Sequence, residues 1–215
     1  MQVEIWSDVV CPWCYLGKRR FEQALGAFEQ KDEVEVTYRS FELDPTVPKG
    51  VTSPTAQMLA SKYGLNEQQA DQAQRQMEQR AAADGLVFAM ANLRSGNTRD
   101  AHRLLQLAKA RQRQPELMER LHSAYFTEQT SIFDHDELTR LAVDTGLDKN
   151  EVTAVLASDD YGAEVDADEA MARTLGVTGV PFYVIDRRYG VSGAQPAETL
   201  TQVLETAWAQ HPQRP

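Results

Sequence analysis

The chain has 215 residues, 42% hydrophobic and 25% charged, enough apolar material for one large domain or a small domain carrying an insertion. Its 32 acidic and 22 basic residues leave a formal charge of −10, which argues against nucleic acid or anionic lipid as a partner, because phosphate binding needs clustered cations. No apolar run reaches the ~18 residues of a membrane span, the first five residues lack the pattern of a secretory signal, and two cysteines cannot build a disulfide scaffold, so the expected compartment is the cytoplasm.

In chain order, Val3-Glu4-Ile5-Trp6 alternates and reads as a short strand that Ser7-Asp8 ends. Pro12 suits the first turn of a helix, and Leu16, Phe21, Leu25 and Phe28 continue it as an approximate stripe. Residues 34–39 form a second strand with Val34, Val36 and Tyr38 on one face. A connection of this length makes the two strands parallel and the crossover right-handed.

From Thr52 to Leu175 the pattern is helical. Ser53-Pro54 opens one helix and Gly64 closes it; Asn66 caps a long polar helix with Ala70, Ala73, Met77 and Ala81 on a thin stripe, ending at Gly85. Asn97-Thr98 precedes Ala101, Leu104, Leu105 and Ala108 at helical spacing, and Pro115 starts another helix. Asp134 with Glu137, and Asp148 with Glu151, resemble capping boxes, and a last segment runs from about Tyr161 to Leu175. Strands return at residues 182–185 and 189–192, joined by Asp186-Arg187-Arg188, a solvated turn short enough for an antiparallel hairpin. Pro196 opens a closing helix, and residues 211–215 are expected to fray.

The layout is βαβ, a helical block, then ββα. Without the block this is the element order of a thioredoxin-like α/β fold, with residues 1–50 and 176–215 as its two halves and 51–175 as an all-helical insertion domain.

Cys11-Pro12-Trp13-Cys14 supplies the chemistry. A C-x-x-C beside a βαβ unit reads as a redox motif. Cys11 falls at a helix start, where free N–H groups and the helix dipole favour a thiolate, the species that exchanges disulfides. It is expected to be the exposed nucleophile, with Cys14 one turn inside as the resolving thiol. Pro12 stiffens the turn, and Trp13 offers an apolar plate to a substrate. Zinc needs about four ligands, and His102, His122, His135 and His211 lack the spacing to supply them, so no metal is expected. A structural bridge is disfavoured in a reducing cytosol. Val180-Pro181 heads a strand, and at a cis frequency of about 5–6% the residues alone favour trans.

Taken together, these stretches resemble DsbA-like oxidoreductases of the FrnE type. The resemblance is carried by Ser7 to Gly17 around the two cysteines, by Phe41-Glu42-Leu43-Asp44-Pro45, by Asn97 to Leu104, by Gly176 to Phe182, and by Ser192-Gly193-Ala194-Gln195. It implies thiol–disulfide exchange through Cys11 and Cys14, and a cis Val180-Pro181 bond facing them. It also implies that Val180 offers backbone hydrogen bonds to an extended substrate, in the manner of strand addition. Some relatives carry an additional cysteine pair; this chain has none.

His102 has two readings: a cleft residue that binds substrate or tunes Cys11, or a polar residue satisfied within the helical block. Asn97-Thr98 reads as a helix cap, and Asp8 and Glu42, at strand ends, as solvated acids rather than proton acceptors. Ser192 to Gln195 precedes a helix N-terminus where a carboxylate such as glutathione's would bind, although capping is the simpler explanation. The expected function is a cytosolic thiol–disulfide oxidoreductase acting on protein or small-molecule thiols, with no bound cofactor and with glutathione as a candidate redox partner. The alternatives are a glutathione-dependent isomerase or transferase, resembling the 2-hydroxychromene-2-carboxylate isomerase and kappa-class branch, and a chaperone-like binding module using Trp13. The former branch has serine at the Cys11 position.

Overall fold

A computed structural model describes residues 1–211. Strands β1 (Gln2–Ser7), β2 (Glu35–Ser40), β5 (Phe182–Ile185) and β6 (Tyr189–Ser192) form one sheet in the order β2-β1-β5-β6. The β1–β2 pair is parallel, running from Gln2 opposite Glu35 to Ser7 opposite Ser40, while β5 is antiparallel to both β1 and β6. Helix α1 (Pro12–Ala27) makes the crossover and packs beside the closing helix α9 (Ala197–Ala209). This is the thioredoxin-like arrangement that the βαβ–ββα order implies.

Between β2 and β5 lie α2 (Thr55–Tyr63), α3 (Glu67–Ala83), α4 (Arg99–Ala110), α5 (Gln114–Phe126), α6 (His135–Asp144), α7 (Lys149–Ala157) and α8 (Gly162–Thr174). The segment is not purely helical. Strands β3 (Thr52–Pro54) and β4 (Arg94–Gly96) pair antiparallel, so Ser53-Pro54 ends a strand and the helix starts at Thr55. The pairing satisfies backbone groups that helix α2 could not reach.

Central strand β1 is covered on both faces. Val3 and Ile5 join a large apolar cluster that runs through Leu16 and Phe21 of α1 into Leu104, Leu117 and Phe126 of the helical segment. Trp6 points the other way, into a smaller cluster with Ala172, Val177 and Val184, as the two-residue period of a strand requires. Its indole Nε1 donates to the Asp168 carbonyl (2.9 Å). The Asp168 carboxylate accepts from Arg39 Nη1 (2.9 Å), Ser40 N (3.0 Å) and Gln106 Nε2 (2.6 Å), and so stitches α8 and α4 to β2.

At the C-terminus His211 is held rather than frayed: its Nδ1 lies 2.6 Å from Asp186 Oδ2 and its ring stacks on Trp208. The rest of the tail expected to fray, residues 212–215, lies outside the described residues. Among the described residues, no helix is long and apolar enough to cross a membrane.

Candidate active site

The strand β1 ends at Ser7, and the next four residues turn the chain into α1. Cys11 N donates to the Asp8 carbonyl (3.2 Å), and Cys14 N and Tyr15 N donate to the Cys11 carbonyl (3.0 and 3.3 Å). Cys11 is thus the N-cap of α1, with extended backbone angles and Pro12 in the first helical turn. Both cysteines are free thiols.

Most of the chain away in sequence, the Val180–Pro181 peptide is cis and lies against this turn. The Cys11 thiol donates to the Val180 carbonyl, 3.6 Å away. That contact corrects one expectation: Cys11 is 4% exposed, nearly as buried as Cys14 at 2%, because the loop before β5 closes over it. Trp13 between them is exposed.

Burial holds the Cys14 thiol well above the ordinary cysteine range, and the neighbouring Cys11 pushes it the same way. The Ser7 hydroxyl and the Asp8 backbone act in the opposite direction, favouring the thiolate without overcoming burial. Cys11 at the helix start and Cys14 one turn inside therefore differ in position on α1 rather than in gross exposure.

Below the motif sits a polar cluster that the sequence does not announce. Asp8 and Glu42, expected to be solvated, are 1% and 6% exposed because α4 and α5 roof the end of β1. Asp8 Oδ2 accepts from Leu43 N (2.7 Å), and Oδ1 accepts from His102 Nε2 (3.2 Å). His122 Nε2 donates to the Asp8 carbonyl at 3.4 Å. His102 thus reaches the redox loop through Asp8, without a hydrogen bond to either cysteine.

The two buried histidines shift in opposite directions. Burial works against protonation of His102, but Asp8, then Glu42 and Glu169, outweigh it and raise its pKa above 6.5. Burial dominates at His122, assisted by the charge of Lys18, and lowers its pKa to about 4, so it is neutral at pH 7. Its ring stacks on Tyr15 at 4.8 Å. Glu42 is raised by burial, with His102 and Arg99 pulling it down and Glu169 pushing it up.

Sequence reasoning left His102 open between the cleft and the helical block and gave His122 no part in the site, although Met118, His122 and Phe126 share a helical face with apolar neighbours. Thr98 is the N-cap of α4 and makes no side-chain bond; Asn97 before it accepts from Arg99 N through Oδ1 (3.0 Å), while its Nδ2 donates to the Val47 carbonyl (2.9 Å). Ser192 to Gln195 does not cap α9; Pro196 is the N-cap, without a side-chain bond, and Gln195 Nε2 folds back onto the Ser192 carbonyl (2.8 Å). Among the described residues no three His, Cys, Asp or Glu gather as a metal site.

A thioredoxin-type sheet with a dithiol at the head of its first helix and a cis-proline opposite defines a class of thiol-active folds. The chain belongs to the DSBA-like thioredoxin domain family, which it matches over residues 2–205. It is 50% identical to a Streptomyces coelicolor protein whose crystal structure is described as that of a probable DsbA oxidoreductase; the match covers 100% of this chain and 93% of that one, with a TM-score of 0.96. It is also 28% identical over 190 residues to the uncharacterized protein YwbO of Bacillus subtilis, 86% of each chain being covered. The cytosolic disulfide reductase DsbM of Pseudomonas aeruginosa, solved with GSH, is 18% identical; 97% of this chain and 100% of that one align with a TM-score of 0.65, a likeness of fold.

Proposed function

We propose that this chain is a cytosolic thiol–disulfide oxidoreductase that works through Cys11 and Cys14. The observation that carries the reading is the Cys11 sulfur at the start of α1, 3.6 Å from the carbonyl preceding a cis-proline. Helix-start N–H groups stabilise negative charge on that sulfur. The Cys11 thiolate attacks a substrate disulfide, forming a mixed disulfide and releasing one substrate thiolate, which takes up a proton. Cys14 then loses its proton and attacks the Cys11 sulfur, closing the Cys11–Cys14 bond and releasing the second substrate thiol. The substrate gains two electrons and two protons, and the two cysteines lose them. Run backwards, the same steps oxidise a dithiol.

In this reading the halves 1–50 and 176–215 carry the reacting parts, and the inserted segment 51–175 supports the site. Val180 and Pro181 present backbone to the substrate, Pro12 stiffens the turn, Trp13 forms the rim, and His102 holds Asp8. Glutathione is the candidate redox partner, supported by its presence in the DsbM structure. Cysteine at position 11 counts against the glutathione-dependent isomerase reading.

Cys11→Ala and Cys14→Ala variants test the proposal in an exchange assay with a fluorescent disulfide. Exchange vanishes in the first, and the second accumulates a mixed disulfide on Cys11. Undiminished exchange by the Cys11→Ala variant contradicts the mechanism; suppression of aggregation without any exchange favours a chaperone-like module.

A further inference from the structure

Helices α1 and α3 meet through two matched contacts. Trp13 and Arg20 lie seven residues apart, on one face of α1; Arg80 lies in the last turn of α3, and Asp84 is its C-cap, four residues on. Arg20 grips Asp84 with both arms, Nε to Oδ1 at 3.0 Å and Nη2 to Oδ2 at 2.9 Å. Its Nη1 also donates to the Ala194 carbonyl (2.7 Å). Two turns earlier on α1, the Arg80 guanidinium lies over the Trp13 ring, 5.3 Å from its centroid.

The contacts differ in net charge. Arg20 and Asp84 neutralise each other, whereas Arg80 is exposed and, among the described residues, has no carboxylate within salt-bridge distance. A protein of formal charge −10 therefore holds an uncompensated cation beside Trp13, one of the two residues between its cysteines. The anchor at Asp84 fixes where that cation sits, and the indole fixes the plane of its guanidinium.

We propose that Arg80, stacked on Trp13, selects anionic substrates, namely thiols and disulfides carrying a carboxylate near the sulfur. This rests on the dithiol exchange proposed above. Arg80 acts by attracting the substrate's carboxylate to the rim of the site, so it governs capture more than the exchange step itself.

The test compares three small disulfides: glutathione disulfide (anionic), hydroxyethyl disulfide (neutral) and cystamine (cationic). With glutathione disulfide, Arg80→Gln is expected to lower kcat/KM about threefold, and Arg80→Glu about tenfold, at low ionic strength. Most of the difference disappears at about 0.5 M salt. Turnover of hydroxyethyl disulfide stays unchanged, cystamine improves in Arg80→Glu, and Arg80→Lys retains most of the preference. Arg80 is exposed, so the variants are expected to melt as the parent does. Equal changes for all three disulfides, or none, overturn the charge selection while leaving the exchange reading intact. Failure of the parent protein to turn over any of the three disulfides overturns the exchange reading, and the selection with it.

Discussion

Replacing Asp8 by Asn tests the buried cluster beneath the redox motif. Asp8 and His102 are each 1% exposed, and the Asp8 carboxylate is the hydrogen-bonded partner of His102 Nε2. Removing one member of a buried charge pair costs about 3–5 kcal/mol. An amide oxygen still accepts from Leu43 N, which places Asp8→Asn near the lower end, about 3 kcal/mol at pH 6. For a chain of this size that corresponds to a melting point lower by about 6–12 °C. The sign of the pH dependence follows from His102, whose folded-state pKa is raised above 6.5. Its contribution is fully present below the unfolded value and is lost as pH rises through the folded value. Once pH passes the folded value the neutral imidazole accepts from the new amide, so at pH 9 the deficit is expected to shrink toward about 1 kcal/mol. Denaturant unfolding of both proteins at pH 6 and pH 9, with thiols kept reduced, gives the two differences. An equal deficit at both pH values, or a larger one at pH 9, refutes the charged pair.

Three other outcomes are expected. A Cβ at Gly17 would lie 2.5 Å from Tyr183 Oη and 2.8 Å from Pro181 Cγ; Gly17→Ala should lower stability by about 1–3 kcal/mol and slow exchange, whereas a melting point within a degree of the parent's denies the tight packing of α1 on the cis-proline. Because burial, the largest cause raising the Cys14 pKa, persists when Cys11 is removed, alkylation of a Cys11→Ala variant at Cys14 should stay slow through neutral pH, and rapid modification at pH 7 contradicts the buried thiol. Asp168→Ala strands Ser40 N and one arm of Arg39 and leaves Gln106 Nε2 with only the Ser40 hydroxyl; a loss of about 3–5 kcal/mol is expected in urea unfolding, and a loss under 1 kcal/mol removes this network from the account.

The sheet and its helices were legible because their signals are local and periodic. Residues 182–185 and 189–192 match β5 and β6 at both ends, and Pro12 marks the start of α1. The β3–β4 ribbon was not legible: Thr52-Ser53-Pro54 and Arg94-Ser95-Gly96 are too short for a period and contain proline and glycine, both poor strand formers. In the site, the C-x-x-C was visible from spacing, while the cis bond rested on family likeness, since most X–Pro bonds are trans. The polar cluster was hidden for another reason. Helix α4 shows one apolar stripe, yet residues 101–108 are all buried, because α7 and α8 cover the side that carries Arg103 and Gln106. Burial of Asp8, Glu42, His102 and His122 depends on how distant helices stack over β1, which local periodicity does not encode.

The central claim is a reversible Cys11–Cys14 disulfide, and a redox titration against glutathione buffers tests it most directly. Acid-quenched, alkylated samples analysed by mass spectrometry should show one two-electron transition, with both cysteines blocked in the reduced protein and neither in the oxidised one. A chain in which the two cysteines stay independently alkylated across the whole range of buffers, with no intramolecular disulfide, contradicts the account.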